Sequence, residues 1–402
     1  MQPETTRPLT ALEEINVKAL AALRAGDVSG AREILATAVS EHPGDAVTRH
    51  HYGIACMAAG DAAAAAEAQH EAVRLAPEFY VARLHLAQAL ERNARPFDAL
   101  VQYTRAMRDA QSRNRWLNSQ STPEGIRPLV QHAVQQVRGG RRQLFSSLWE
   151  PLAQEHGAKA LTRVDQCLRI YLGEEAPRYP DERQRPTFLF FPGLPATPYL
   201  DLRLFPWVDE LEARFPAIRT ELLQRMASDQ GRERVFGSDA LEKENLRGAE
   251  IPPSWNGYYF YRHGERREDN CASCPATAAA LGSLPLARVR EHAPEVLFSV
   301  FTPGTHLLPH RGVTNTRVVG HLALIVPSDC ALSVAGEPYA WQEGRCVVFD
   351  DTYEHEAWNR SDRIRVVLIF DLWNPHLTEI ERAAVKRLVE VIGDFRAAME
   401  AG

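Results

Sequence analysis

The side chains able to do chemistry are concentrated between Ser299 and Pro375. His310, His321, His355 and Arg365 stand at the ends of short runs rich in Val, Ile, Leu and Phe. Neutral imidazole is the commonest metal ligand in proteins, and His310 and His355 lie 45 residues apart, room for several strands to bring the two together. Arg365 opens the run VVLIF. A guanidinium drawn into apolar surroundings is too costly to keep unpaired, so it calls for a carboxylate. Each histidine taken singly fits a satisfied structural role; the pair beside a buried-strand arginine favours a metal site.

The elements that must position these groups are short and apolar: His321–Val326, Leu332–Val334, Arg345–Asp350 and Arg363–Phe370, separated by Pro, Gly, Asn and Asp clusters. That spacing suits an antiparallel barrel or jelly roll. A hairpin whose turn NRSD centres on Arg360 sets positions 355 and 365 opposite one another, and a one-residue change of register brings Glu356 there instead. Upstream, Thr187–Tyr199 reads as strand-like, Trp207–Gln224 as an amphipathic helix, and the segment to Ile251 as polar with little periodicity. In SWNGYYFYRHGERREDN, two strands and a loop are expected. Trp255, Tyr259 and Tyr261 fall on one face of the first strand, a core stripe of which Trp255 is the candidate pocket wall.

The N-terminal part carries a repeat. Ala25-Gly26-Asp27 recurs as Ala59-Gly60-Asp61, and Pro43 recurs as Pro77, each 34 positions later. Alanines keep the same step: Ala21, Ala55, Ala89; Ala31, Ala65, Ala99; Ala38, Ala72, Ala106. Alanine alone gives chance matches in any Ala-rich bundle, but Gly, Asp and Pro at one period identify an α-solenoid that resembles the tetratricopeptide repeat. The third unit departs, with Asn93-Ala94-Arg95 in place of AGD. Residues 10–113 are assigned to these repeats and 114–185 to a helical bridge and linker, with VRGGRRQ breaking the bridge between two apolar-periodic segments. The polar stretch EEAPRYPDERQRP then marks a boundary, and 186–402 form the last domain, closed by a helix at Leu377–Met399 that packs on the barrel or on a second copy.

HRGVTN (His310–Asn315), FDDTYEHEAWN (Phe349–Asn359), RIRVVLIFDLWNP (Arg363–Pro375) and FFPGLPATP (Phe190–Pro198) resemble the aspartyl/asparaginyl β-hydroxylase family, over about Pro186 to Thr378. The resemblance implies an iron(II)- and 2-oxoglutarate-dependent dioxygenase on a double-stranded β-helix, a jelly-roll, cupin-like fold, so the whole chain reads as an α+β multidomain protein. It implies that His310 and His355 bind iron, that Arg365 holds the distal carboxylate of 2-oxoglutarate, and that Ser299 and His321 line the cosubstrate pocket, with Trp255 as a pocket tryptophan. As in that family, Gly312 stands where the usual facial triad has a carboxylate, which leaves two protein ligands and a place for water. Val319 stands where the animal enzymes carry a cosubstrate arginine, and Arg317 lies two residues earlier. The implied reaction consumes O₂ and converts 2-oxoglutarate to succinate while hydroxylating an Asp, Asn or related group of a protein, peptide or small molecule.

Composition narrows the partners. A net charge of −6 with no extended Lys/Arg stripe argues against nucleic acid. No run of eighteen apolar residues occurs and the N-terminus lacks a secretory pattern, so no membrane partner is expected and cytoplasm is the expected compartment. Of six cysteines only Cys271 and Cys274 are close; a single CxxC reads as a loop pair, free or redox-labile, with no catalytic role. The repeats are expected to hold a protein ligand or to help dock substrate. The alternatives are a non-catalytic iron and 2-oxoglutarate sensor acting through the repeats, and a repeat scaffold carrying an inert barrel.

Overall fold

The computed structural model describes residues 9–228, 233–234, 246–247 and 255–400. Most of the polar segment before Ile251, and the first eight residues, lie outside them. The chain divides into two compact units, Met1–Ser147 with Asp394–Gly402, and Leu148–Gly393.

In the first unit, α1 (Ala11–Arg24), α2 (Val28–Glu41), α3 (Ala46–Ala58), α4 (Ala62–Leu75), α5 (Tyr80–Arg92) and α6 (Pro96–Gln111) form the expected helical pairs. The repeated residues have repeated jobs. Asp27 and Asp61 cap α2 and α4, accepting from the amides of Gly30 and Ala64, and Asp45 caps α3 in the same way. Gly26 and Gly60 turn the chain with φ of +86° and +81°. In the third unit Ala94 takes up that left-handed conformation at φ +54°, so the turn survives the loss of its glycine. Ala31, Ala65 and Ala99, like Ala38, Ala72 and Ala106, are buried where helices approach closely; Ala21 alone of the nine is exposed. One device is invisible in the alanine pattern: Arg49 donates to the carbonyl of Pro43 at 2.8 Å, and Arg83, 34 positions on, donates to that of Pro77 at 2.8 Å.

The bridge differs from expectation. VRGGRRQ does not break it, because α7 (Arg127–Ser147) runs unbroken across Gly139 and Gly140. Two glycines weaken a helix, but a Cβ on Gly140 would sit 3.1 Å from the Leu100 side chain of α6, so the missing side chain lets the helices close.

The second unit begins with α8 (Glu150–His156) and α9 (Thr162–Tyr171). Thr187–Tyr199 forms no regular strand; it is held by isolated bridges, Leu189 to Thr314 and Tyr199 to Phe349, and by the Tyr199 hydroxyl, which donates to the Glu337 carbonyl at 2.7 Å. The expected amphipathic helix is two, α10 (Val208–Ala213) and α11 (Phe215–Ser228). Among the described residues twelve strands follow: β1 (Glu233–Arg234), β2 (Leu246–Arg247), β3 (Trp255–Arg262), β4 (Glu265–Arg266), β5 (Val296–Phe301), β6 (His306–His310), β7 (Arg317–Ile325), β8 (Cys330–Val334), β9 (Glu337–Tyr339), β10 (Cys346–Phe349), β11 (His355–Asn359) and β12 (Arg365–Trp373). They make two antiparallel sheets, β1-β3-β5-β12-β7-β10 with β4 beside β3, and β2-β6-β11-β8-β9.

The larger sheet is buried on both faces. One face packs with α10, α11, α12 (Glu268–Ser273) and α13 (Pro275–Gly282) around Phe260, Phe298 and Phe370, each side chain contributing about 1.5–3 kcal/mol by leaving water. The other packs on the smaller sheet through Phe301, Val347, Phe349 and Val367 against Leu307, Leu332, Val334 and Ala357. Cys271 and Cys274 lie buried in the first of these cores as free thiols, not in an open loop. The closing helix, α14 (Glu379–Glu400), is tied to α9 by Arg163 and Glu381, 2.6 Å apart.

The expected hairpin across Arg360 is not formed. β11 pairs with β6 and β8, and β12 pairs with β5 and β7, so the chain crosses from one sheet to the other between them. The fully buried Asn359 holds that crossover: its amide donates to the carbonyls of Phe301, Thr302 and Arg363, and its oxygen accepts from Ser361. Positions 355 and 365 are therefore not cross-strand partners.

Candidate functional site

Strand alternation places one face of β7 (Arg317, Val319, His321), of β12 (Arg365, Val367) and of β5 (Ser299, Phe301) toward the core between the sheets. His310 and His355 are opposite one another on β6 and β11, with ring centroids 4.1 Å apart. Their Nδ1 atoms are engaged by backbone carbonyls, His310 with Leu308 at 2.9 Å and His355 with Tyr353 at 3.0 Å. A carbonyl can only accept, so each Nδ1 carries the proton and each Nε2 keeps its lone pair, the tautomer a metal ligand needs. Burial lowers the pKa of His310. Burial and then the neighbouring His310 bring His355 down to about 3, so both rings are neutral near pH 7.

Arg365 is 2% exposed. Its guanidinium carbon lies 3.7 Å from the centre of the Phe301 ring and 5.0 Å from that of Trp341, held between two aromatic faces. Among the described residues no carboxylate forms an ion pair with it. Its Nη1 reaches Ser299 only at 3.4 Å, and its Nε has no partner there. Burial without an anion brings its pKa down to about 9. Ser299 is fully buried and accepts from the indole of Trp255 at 2.8 Å, so these two expected pocket residues touch. His321 is 5% exposed, its Nδ1 has no partner among the described residues, and its pKa is pushed well down by burial, then by Arg365 and His355. Six residues singled out from sequence thus gather on the inner faces of two sheets.

Of the pair noted at the animal enzymes' arginine position, Arg317 is engaged by Asp371 at 2.7 Å, while Val319 is an apolar core residue. Two features were not singled out, Trp341 and Asp351. Trp341, covering Arg365, lies between β9 and β10 with no signal in its neighbourhood. Asp351, four residues before His355, had one: it sits within FDDTYEHE. It is buried, its Oδ1 lacks a partner among the described residues, and burial raises its pKa to about 7 against the pull of Arg317.

Asp351 also explains Gly312. A Cβ built on Gly312 would lie 2.1–2.3 Å from the Asp351 carboxyl atoms, so that carboxyl fills the space a side chain at 312 would need. The Gly312 amide donates to the Asp351 carbonyl at 2.6 Å, locking the two segments together. Gly312→Ala is therefore expected to destabilise the protein by about 1–3 kcal/mol, as overpacking does. A thermal melt matching the wild type would show that Asp351 moves aside freely.

The profile of the family described as "Aspartyl/Asparaginyl beta-hydroxylase" matches residues 212–375, which include every residue placed at this site. "Ornithine lipid ester-linked acyl 2-hydroxylase" of Rhizobium tropici is 36% identical over 181 residues, 44% of this chain and 61% of that protein. "Aspartate beta-hydroxylase domain-containing protein 2" of Homo sapiens is 32% identical over 255 residues, 61% of this chain and 65% of that protein. Its Mus musculus counterpart is 32% identical over 255 residues, 70% of its length. The chain thus spans less than two thirds of the first two of these relatives.

Proposed function

The chain belongs to the aspartyl/asparaginyl β-hydroxylase family, and from that premise we propose that it is an iron(II)- and 2-oxoglutarate-dependent dioxygenase that hydroxylates its substrate. We take the two facing sheets as the double-stranded β-helix of such enzymes, within residues 186–402, with residues 10–113 as helical repeats available to a protein ligand and residues 114–185 as the bridge. The observation that carries the reading is Arg365: a buried guanidinium with no carboxylate partner among the described residues, in the same core as a pair of neutral imidazoles.

The residues present fit both groups. His310 and His355 would hold the iron through Nε2, and Arg365, with Ser299 beside it, would seat the distal carboxylate of 2-oxoglutarate. When bound, the iron and cosubstrate supply the oxidation of an unactivated C–H bond with O₂. The chain's own share is placement: the carbonyls of Leu308 and Tyr353 hold the imidazole protons on Nδ1, and Ser299, tied to Trp255, fixes one wall. Phe301 and Trp341 cover the guanidinium, and Phe349 packs against the His355 ring.

The relatives' names narrow the substrate. The β-carbon of aspartate and carbon 2 of an acyl chain are both methylenes next to a carboxyl-derived carbon, so the proposed substrate class is a compound with such a methylene, in an acidic side chain or an acyl ester. The test is succinate formation from 2-oxoglutarate with iron and O₂, run with an Asp/Asn-containing peptide, with an ester-linked acyl lipid and with neither. Substrate-stimulated succinate with one added oxygen atom in the product is expected. Cosubstrate binding without turnover on any substrate would instead favour the sensor.

A further inference from the structure

Resting on that reading, we infer that Trp341 is a cosubstrate-binding residue whose indole N–H donates a hydrogen bond to the carboxylate seated on Arg365. Trp341 follows β9 in the connection to β10, and 6% of it is exposed. Its ring faces the Arg365 guanidinium at 5.0 Å and lies 5.9 Å from the His321 ring, tilted by 31°. Buried indole N–H groups ordinarily find an acceptor, but Trp341 Nε1 has none among the described residues. The same holds for His321 Nδ1 and Arg365 Nε. Three neighbouring residues thus each bury a polar nitrogen without a partner, and two of those nitrogens are obligate donors.

An anion rich in acceptors satisfies that set. A carboxylate offers about four lone-pair sites and no donor, enough for Arg365, Ser299 and the indole together. An aromatic cover over a cation needs only the π face of the ring, so the N–H separates a binding role from a covering one. Phenylalanine at this position keeps the face and removes the donor.

The experiment uses the full chain loaded with zinc, a redox-inert ion for the histidine pair, and titrates 2-oxoglutarate by calorimetry. The wild type is expected to bind, and Trp341→Phe to bind about tenfold more weakly or worse, the loss typical of a hydrogen bond to a charged group. Without 2-oxoglutarate the variant should melt at or above the wild-type temperature, because it lacks an orphaned buried N–H. Equal affinity in the two proteins would overturn the assignment of Trp341. A wild type that does not bind 2-oxoglutarate at all would overturn the cosubstrate reading itself, and this assignment with it. If Trp341→Phe does not fold, the assigned ¹H–¹⁵N resonance of the Trp341 indole in the wild type decides the matter: it must move downfield on adding 2-oxoglutarate, and an unmoved resonance overturns the proposal.

Discussion

Arg365→Met is expected to lower 2-oxoglutarate affinity by roughly 30-fold or more while leaving the free protein at least as stable as the wild type. The first half follows from the chemistry of a charge-assisted pair in a dry pocket, where truncating one partner costs about 2–5 kcal/mol. The second half follows from what Arg365 lacks. Removing one member of a buried ion pair strands the other, but no carboxylate among the described residues is left behind here, and a desolvated charge disappears. With iron present, 2-oxoglutarate should raise the wild-type melting temperature by mass action and should not raise that of the Met variant. Arg365→Lys should recover little, because an ammonium lacks the planar fork of the guanidinium. Equal 2-oxoglutarate shifts in wild type, Met and Lys proteins would remove Arg365 from the site and most of the case for a dioxygenase.

His310→Ala and His355→Ala should each abolish iron binding at micromolar metal, a loss of more than roughly 100-fold, with the fold retained. Even displaced outer partners of a ligand cost 10- to 100-fold, and each variant here removes one of only two assigned protein ligands. Anaerobic calorimetry with iron(II) measures it. Because burial already holds both imidazoles neutral, with His355 at about 3, protons should not compete for them, and wild-type affinity should stay level between about pH 6 and 8. Wild-type binding in either variant would strike that histidine from the site.

The side chains at this centre were legible because they break local rules. An arginine opening VVLIF and histidines closing apolar runs conflict with their surroundings, and such conflicts concentrate at functional sites. The connection between His355 and Arg365 was not legible. NRSD has the composition of a hairpin turn, and only the contacts of Asn359 with β5, 58 positions upstream, show that the turn residues serve a crossover instead. Helix α7 was misread for a similar reason: Gly140 is a breaker by propensity and a contact surface by packing against Leu100. Trp341 could not be found at all. Nothing near it in sequence conflicts, and its meaning lies in three orphaned atoms that meet only after the sheets have closed.

Strand β11 is bonded along both edges, and His355 is the residue at which the two ladders meet, facing His310 on β6 and Val334 on β8. A register irregularity follows at once between His355 and Ala357, and an irregularity of that kind pins a strand against sliding. The distance between the two imidazoles is thus dictated by main chain rather than by adaptable side chains, so the proposed ion would meet a bite already cut to size. The two halves of that bite differ in permanence. β6 is backed, on its far edge, by the two-residue β2 alone among the described strands, whereas β11 has a neighbour on either side. In hydrogen exchange the amides of β6 should therefore open before those of β11, and an ion held as proposed would lose His310 first and His355 last.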